Sequence, residues 1–256
     1  MKKIVVNIAL IFILAVLCAA LAAVNILDRK DRSIRTCQGI SIEFLDDYNF
    51  VTTEDIHEFL DNYYGAVIGM RTDEVDLARI ENILDVQTAV LKSEVYLEED
   101  GILHIQVTQR EPIVRFQKGS NGFYADGGGY IFPLQRNYTS PVPVIDGELP
   151  LSHETGYKGE PQGEKEKAWM DEIMELVYYL NDNRQWVENL VQISVDAKGE
   201  MIMIPREGRE RFIFGECRDI EKKFEKMEKY YQCIKPLDKD YGTIIVKYDN
   251  QIICRN

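Results

Sequence analysis

The chain begins with a long run of hydrophobic residues. Residues 4–24 contain a single strongly polar residue, Asn7. A helix rises about 1.5 Å per residue, so a run of this length crosses roughly the 30 Å of hydrocarbon in a bilayer. The pattern predicts a transmembrane helix over residues 4–27, preceded by a cytoplasmic stub of residues 1–3.

A cleaved signal peptide is the alternative interpretation of this run. Lys2 and Lys3 precede it, and Ala20-Leu21-Ala22 has the small residues of a cleavage site. The hydrophobic region of a signal peptide usually has about 7 to 15 residues, so the length of the run favours an uncleaved anchor. The flanking charges do not favour an exported body, because more basic residues follow the run than precede it.

After a linker over residues 28–37, the hydrophobic pattern predicts a strand followed by two helices. Ile40, Ile42 and Phe44 alternate with polar residues, as in a half-buried strand. Thr52 or Thr53 can cap the first helix. The apolar stripes of the two helices are predicted from residues at helical spacing: Ile56, Phe59, Leu60 and Tyr63, then Leu77, Ile80 and Leu84.

Two adjacent strands around Gly101 form the clearest local pattern. A three-residue loop with Gly101 in the left-handed conformation places Val95 opposite Ile105 and Leu97 opposite Leu103, so that apolar residues face each other. A two-residue Asp-Gly turn would place a polar residue opposite each of the two. The first unit is therefore predicted as strand, helix, helix, strand, strand, with the helices on one face of the sheet.

Beyond Pro112 the pattern predicts a second unit of short strands and two amphipathic helices. The predicted strands are residues 113–117, 122–125, 130–133, 190–195, 200–204, 211–214, 243–248 and 251–254. The helices carry their stripes between Trp169 and Leu180 and between Ile220 and Tyr231. A turn at Asp249-Asn250 is predicted to join the last two strands, and the final strand is predicted to form a sheet edge.

Charge and composition narrow the function. The 256 residues include 30 Lys and Arg against 43 Asp and Glu, a formal net charge of −13, which argues against nucleic acid as a partner. The three histidines, His57, His104 and His153, lack metal-ligand spacing, and Gly127-Gly128-Gly129 indicates a tight turn rather than a phosphate loop. The sequence predicts a binding protein with no catalytic residue, no metal and no cofactor. It leaves open whether four cysteines pair: Cys37, Cys217, Cys233 and Cys254.

Four stretches of the chain resemble the FtsQ/DivIB family of bacterial cell-division proteins. They are the hairpin running into Gln109-Arg110-Glu111-Pro112, the segment Gly122 to Pro133, Phe214-Gly215 followed by residues 220–224, and the closing strand Ile244 to Asp249. The resemblance covers nearly the whole chain and depends on the order and spacing of these motifs. One departure is Lys247, which stands where the family usually has arginine.

The resemblance implies an α+β fold with a single N-terminal transmembrane helix. It implies a POTRA domain over residues 38–112 and the family's β domain over residues 113–256, ending in a C-terminal hairpin. Residues from about Asp28 onward would be periplasmic. The implied function is a non-enzymatic divisome scaffold that links membrane cell-division proteins outside the inner membrane during septum formation at midcell.

The resemblance also implies a partner site. In the family, the strand after the closing motif accepts an added strand from FtsB, and the partner expected here is an FtsB/FtsL-like subcomplex. The matching residues are Tyr248, Asn250, Gln251, Ile252, Ile253 and Cys254. The alternative interpretation is that Ile252 and Ile253 only complete a core. At the level of function, the alternatives are a POTRA-containing envelope-assembly or export factor and a membrane-anchored envelope hydrolase.

Overall fold

The computed structural model describes residues 13–24, 35–87, 89–135, 138–151, 154, 156–237 and 241–256. The chain divides into two compact units. The first contains the described residues up to 47 together with residues 51–109, and the second contains residues 48–50 and 110–256. The predicted domain bounds themselves stay predictions.

The described N-terminal residues, 13–24, form helix α1 with exposed side chains. The remaining residues of the predicted membrane helix, together with the predicted stub, lie outside the described part of the chain. Among the described residues, no helix is both long enough and apolar enough to cross a membrane. The transmembrane helix over residues 4–27 therefore stays a prediction.

The first unit has the predicted order of strand, helix, helix, strand and strand. Its elements are β1 (Gly39–Phe44), α2 (Thr53–Tyr63), α3 (Leu77–Asp85), β2 (Val90–Leu97) and β3 (Ile102–Gln109). The sheet order is β1-β3-β2, with β1 parallel and β2 antiparallel to β3. Alternate residues of β3 are buried, as are residues on both helices, so α2 and α3 cover one face of the sheet.

Local sequence explains how α2 begins and where its buried stripe ends. Thr52 is the N-cap, and its hydroxyl accepts from the Asp55 N–H while the Asp55 side chain accepts from the Thr52 N–H. Ile56 and Leu60 are buried as predicted. The prediction is wrong for Tyr63, which is 62% exposed. Tyr63 is the last residue of the helix, so the buried stripe ends at Leu60.

The hairpin of β2 and β3 has the predicted register. Val95 lies opposite Ile105 and Leu97 opposite Leu103. Gly101 has φ of +85°, and a Cβ at this position would come within 2.8 Å of a backbone oxygen. Glycine is therefore required both for the left-handed turn and for the close approach of the chain.

The second unit is built on one nine-stranded mixed sheet. Its strands are β4 (Pro112–Lys118), β5 (Asn121–Asp126), β6 (Ile131–Pro133), β7 (Val144–Gly147), β8 (Leu190–Val195), β9 (Met201–Pro205), β10 (Arg211–Gly215), β11 (Thr243–Ile245) and β12 (Ile253–Arg255). The strand order is β12-β11-β10-β9-β8-β7-β4-β5-β6. The helices are α4 (Glu164–Asp182), α5 (Arg184–Asn189) and α6 (Ile220–Lys229). Strand β7 and helix α5 were not predicted from the sequence.

The helices of the second unit pack on one face of this sheet. Phe214 of β10 contacts Phe224 of α6 with ring centroids 5.3 Å apart, and Phe116 of β4 contacts Trp169 of α4 at 5.6 Å. Phe116, Phe214 and Phe224 belong to a single buried cluster that includes alternate residues of the strands, and Trp169 packs against it. Every second side chain of the strands and one face of α4 and of α6 are buried together in this core.

The last part of the chain differs from the sequence prediction in two places. The predicted hairpin forms, with Asp249 and Asn250 in its turn, but its strands are shorter than predicted, because seven residues, 246–252, separate β11 from β12. Helix α6 ends at Lys229 and continues as a π-helix over Tyr230–Ile234. Within this π-helix, Tyr230 packs against Phe212 of β10, with ring centroids 5.5 Å apart.

All five cysteines are free thiols in this structure. Cys217 is buried with its sulfur 3.3 Å from the sulfur of Met201. Burial raises the pKa of the Cys217 thiol to about 12. The thiol is therefore protonated at neutral pH and serves as a small apolar core residue.

Candidate functional site

The predicted docking residues lie at one edge of the nine-stranded sheet. Strand β12 pairs with β11 on one side, and among the described residues no strand follows it on the other. Ile253 and Cys254 lie in β12, and Tyr248 to Ile252 lie in the connection before it. The final strand is thus an edge strand, as the sequence predicts.

The hydrogen bonds of β11 determine which groups of β12 face outward. Gly242 O accepts from the Arg211 N–H of β10 at 3.0 Å, and the Val246 N–H donates to Ile213 O at 3.1 Å. The main-chain N–H and C=O groups of even-numbered residues along β11 therefore point toward β10, and those of Thr243 and Ile245 point toward β12. Their partners are Arg255 and Ile253. The N–H and C=O of Cys254, which lies between these two, point away from the sheet.

The connection before β12 is held by a lysine of α6. Lys226 Nζ donates to Val246 O at 3.0 Å and to Tyr248 O at 2.6 Å. Asn250 has φ of +55°, a left-handed conformation that asparagine tolerates better than most residues. These two features define the path of the chain from β11 to the edge.

Lys247 lies across the end of β10. Its Nζ donates to Glu200 Oε1, and its stem passes Gly215, where an added Cβ would come within 2.8 Å of the Lys247 Cβ. The hydrogen bond to Glu200 raises the pKa of Lys247. The Phe214-Gly215 motif and the closing motif, separate in sequence, are therefore in direct contact.

Exposure separates the six predicted site residues into two groups. Tyr248, Asn250 and Gln251 are exposed, whereas Ile252, Ile253 and Cys254 are partly buried. Ile252 and Cys254 also pack against the core of the second unit. Their side chains therefore help to complete the core while the main chain of Cys254 stays at the edge.

A groove lies between α6 and the connection before β12. It is lined by lysines and acidic residues of the helix and by residues of the connection: Asp219, Lys222, Glu225, Lys226, Lys229, Asp249, Asn250, Gln251 and Ile252. Lys222 Nζ donates to Asp219 Oδ1 at 2.7 Å, and this bond raises the pKa of Lys222 and lowers that of Asp219. The groove thus carries both signs of charge next to the free edge.

Sequence reasoning missed the residues that support this edge. Lys226 reads as one charge on a solvated helix face, and its contact with the connection cannot be seen in the spacing of α6. Gly215 and Lys247 were both within recognised motifs, but their contact was not predicted. Arg255 was omitted although it lies in β12 beside Cys254.

The other residues considered for chemistry have structural surroundings. His57 is exposed, and His104 stacks on Tyr96 with Nε2 3.5 Å from Glu98. His153 lies outside the described residues. Within the described ranges, no group of three or more His, Cys, Asp or Glu side chains could hold a metal ion.

The three consecutive glycines form the predicted tight turn. Asp126 Oδ1 accepts from the Gly128 N–H at 2.9 Å and from the Tyr130 N–H at 3.0 Å, and Oδ2 accepts from Arg110 Nη1 at 2.7 Å. The Arg110 guanidinium also lies over the Tyr130 ring at 3.6 Å. The segment therefore anchors the start of the second unit.

Comparison with known families agrees with the sequence resemblance. Residues 111–255 match the family model described as FtsQ/DivIB, C-terminal related. Residues 35–108 match the model of a POTRA-like domain. No curated protein matches the chain. The α+β fold with a POTRA-like domain and a β-sheet domain is confirmed by these matches and by the two sheets.

Proposed function

Because the chain belongs to the FtsQ/DivIB family, we propose that it is a non-enzymatic scaffold of the bacterial divisome. Members of this family are typically non-enzymatic scaffolds. In this proposal the N-terminal helix anchors the chain in the inner membrane with a cytoplasmic stub. The two units described above lie in the periplasm and bind other membrane proteins of the division machinery at midcell.

The free edge of β12 is the observation that carries the proposed partner interaction. An edge strand offers main-chain N–H and C=O groups that a second chain can pair with. A strand of an FtsB-like partner adds here, using the outward groups of Cys254 and the residues around it. The site consists of Tyr248, Asn250, Gln251, Ile252, Ile253 and Cys254.

Strand addition divides the work between main chain and side chains. Each main-chain hydrogen bond contributes about 0.5–1.5 kcal/mol, so a short strand needs side-chain contacts as well. Tyr248, Asn250 and Gln251 are exposed next to the edge and can provide them. Ile252 and Cys254 pack against the core and hold the edge strand on it, while Ile253 is partly buried.

A proline substitution at an outward position tests the docking edge. Cys254→Pro removes an N–H that points away from β11, and Cys254→Ser is the matched control because it keeps that N–H. We expect the proline variant of the full chain to stay folded by circular dichroism and to lose the FtsB-like partner in pull-downs from solubilised membranes. The serine control should retain it. A folded proline variant that binds as well as wild type would place the docking surface elsewhere.

The cellular role is tested by localisation. Fluorescent fusions of a divisome scaffold gather at midcell, whereas an envelope-assembly or export factor is distributed around the cell periphery. A peripheral distribution would contradict the proposal.

The membrane anchor is tested by sequencing the N-terminus of protein isolated from cells. Met1 or Lys2 as the first residue supports a retained helix, whereas Ala23 or Val24 as the first residue shows a cleaved signal peptide.

A further inference from the structure

Strand β2 is an edge of the three-stranded sheet in the first unit. The Glu98 N–H donates to Ile102 O at 3.0 Å, so the main-chain N–H and C=O groups of even-numbered residues at this end of β2 point toward β3. Ser93 and Val95 then turn their main-chain groups toward the edge. An edge of this kind normally attracts another strand.

The outward N–H groups of β2 are already occupied by side chains of α3. The Ser93 N–H donates to Asp85 Oδ1 at 2.7 Å, and the Val95 N–H donates to Glu81 Oε1 at 2.9 Å. The Ser93 hydroxyl also donates to Asp85 Oδ1 at 2.7 Å. Ser93 and Val95 are buried, so these carboxylates pair two N–H groups that have little access to water of their own.

The spacing of the two carboxylates matches the spacing of the two N–H groups. Glu81 and Asp85 are four residues apart, which corresponds to about 6 Å along a helix. Ser93 and Val95 are two residues apart on a strand, which corresponds to about 6.6 Å. An i, i+4 pair of acidic residues on a helix lying along the edge can therefore cap alternate residues of the strand.

Helix α3 holds these carboxylates in place. Ile80 and Leu84, each next to one of them in sequence, are fully buried, and Asp76 caps the helix by accepting from the Arg79 N–H.

We propose that Glu81 and Asp85 close the β2 edge to a second chain. A strand arriving there would find two donors occupied, and its carbonyl oxygens would face two carboxylates. This role does not depend on which partner binds at β12.

Alanine substitution opens the edge in this proposal. In the full chain in detergent, we expect the Glu81→Ala, Asp85→Ala double variant to self-associate through β2. Its mass by light scattering should rise about twofold with concentration, where wild type stays constant. In dilute protein, the amides of Ser93 and Val95 should exchange with solvent roughly tenfold faster or more than in wild type.

An amide variant provides the matched control. Glu81→Gln with Asp85→Asn keeps an acceptor oxygen at both positions, so its mass and exchange rates should stay close to those of wild type. A folded alanine variant with wild-type mass and exchange rates would overturn the proposal. So would an amide variant that associates as strongly as the alanine variant. If the double alanine variant does not fold, Glu81→Ala alone is tested, with faster exchange expected at Val95 and unchanged exchange at Ser93.

Discussion

The two ends of the nine-stranded sheet are finished in different ways. At one end, Ile131 of β6 exchanges two main-chain hydrogen bonds with Gly159, at 2.8 and 2.9 Å. Pro133, the last residue of β6, has no N–H to offer. At the other end, β12 has its neighbour β11 on one side only, and the main chain of Cys254 faces outward.

The difference shows which edge the fold protects. A loop segment covers β6, and carboxylates of α3 occupy the β2 edge of the first unit. Lys226 also donates to main-chain oxygens, Val246 O and Tyr248 O, but both lie in the connection before β12. Its side chain therefore does not cover the outward N–H of Cys254. Natural proteins block edges that must not pair, so an edge left open at the end of the sheet fits a surface kept for a partner.

The strongest test of this comparison is the same truncation at both ends. Ile131→Ala removes a fully buried side chain and should lower the free energy of unfolding by about 2–5 kcal/mol. Ile253→Ala removes a partly exposed side chain at the open end and should cost less than about 1.5 kcal/mol. Urea unfolding followed by fluorescence measures both, since Trp169 and Trp186 lie in the second unit. Equal losses would remove the distinction between the ends.

A smaller effect is expected from the lysine that supports the open end. Lys226→Met removes the two hydrogen bonds to Val246 O and Tyr248 O and should cost about 2 kcal/mol. Lys229→Met is the matched control on the same helix, because Lys229 is exposed, and should change stability by less than about 0.5 kcal/mol. Chemical denaturation of both variants decides whether α6 holds the connection.

The left-handed residue of the connection should have a still smaller effect. Asn250→Ala places a residue that disfavours positive φ at +55° and should cost about 1 kcal/mol. Asn250→Gly should leave the unfolding midpoint near that of wild type, because glycine adopts this conformation without strain. An alanine variant as stable as the glycine variant would show that the turn rearranges freely.

The smallest effect is expected at Lys247. Lys247→Met removes the ion pair with Glu200 and should cost about 0.5 kcal/mol at neutral pH, while Lys247→Arg should keep most of it. The pKa of Lys247 is raised in the folded state above its ordinary value of 10.5. The contribution is therefore complete below about pH 10.5 and is lost as the pH rises through the raised pKa. Wild type and Lys247→Met should converge in stability above that range.

The sequence determined those parts of the fold that depend on neighbours in the chain. The register around Gly101 follows from alternation of apolar residues and from a turn that requires positive φ. The start of α2 follows from Thr52 and Asp55, three residues apart. The motifs that identify the family are likewise local patterns in a definite order.

The tertiary structure decided the contacts between distant segments. Strand β7 is four residues long, and it is a strand because it lies between β4 and β8. The seven-residue connection before β12 depends on Lys226, about twenty residues earlier, and on the packing of α6. The occupied edge of β2 depends on α3 lying beside it, which the spacing of Glu81 and Asp85 permits but does not specify. Helical and strand periods are local properties, whereas the partner of an edge group depends on which elements the shared core brings together.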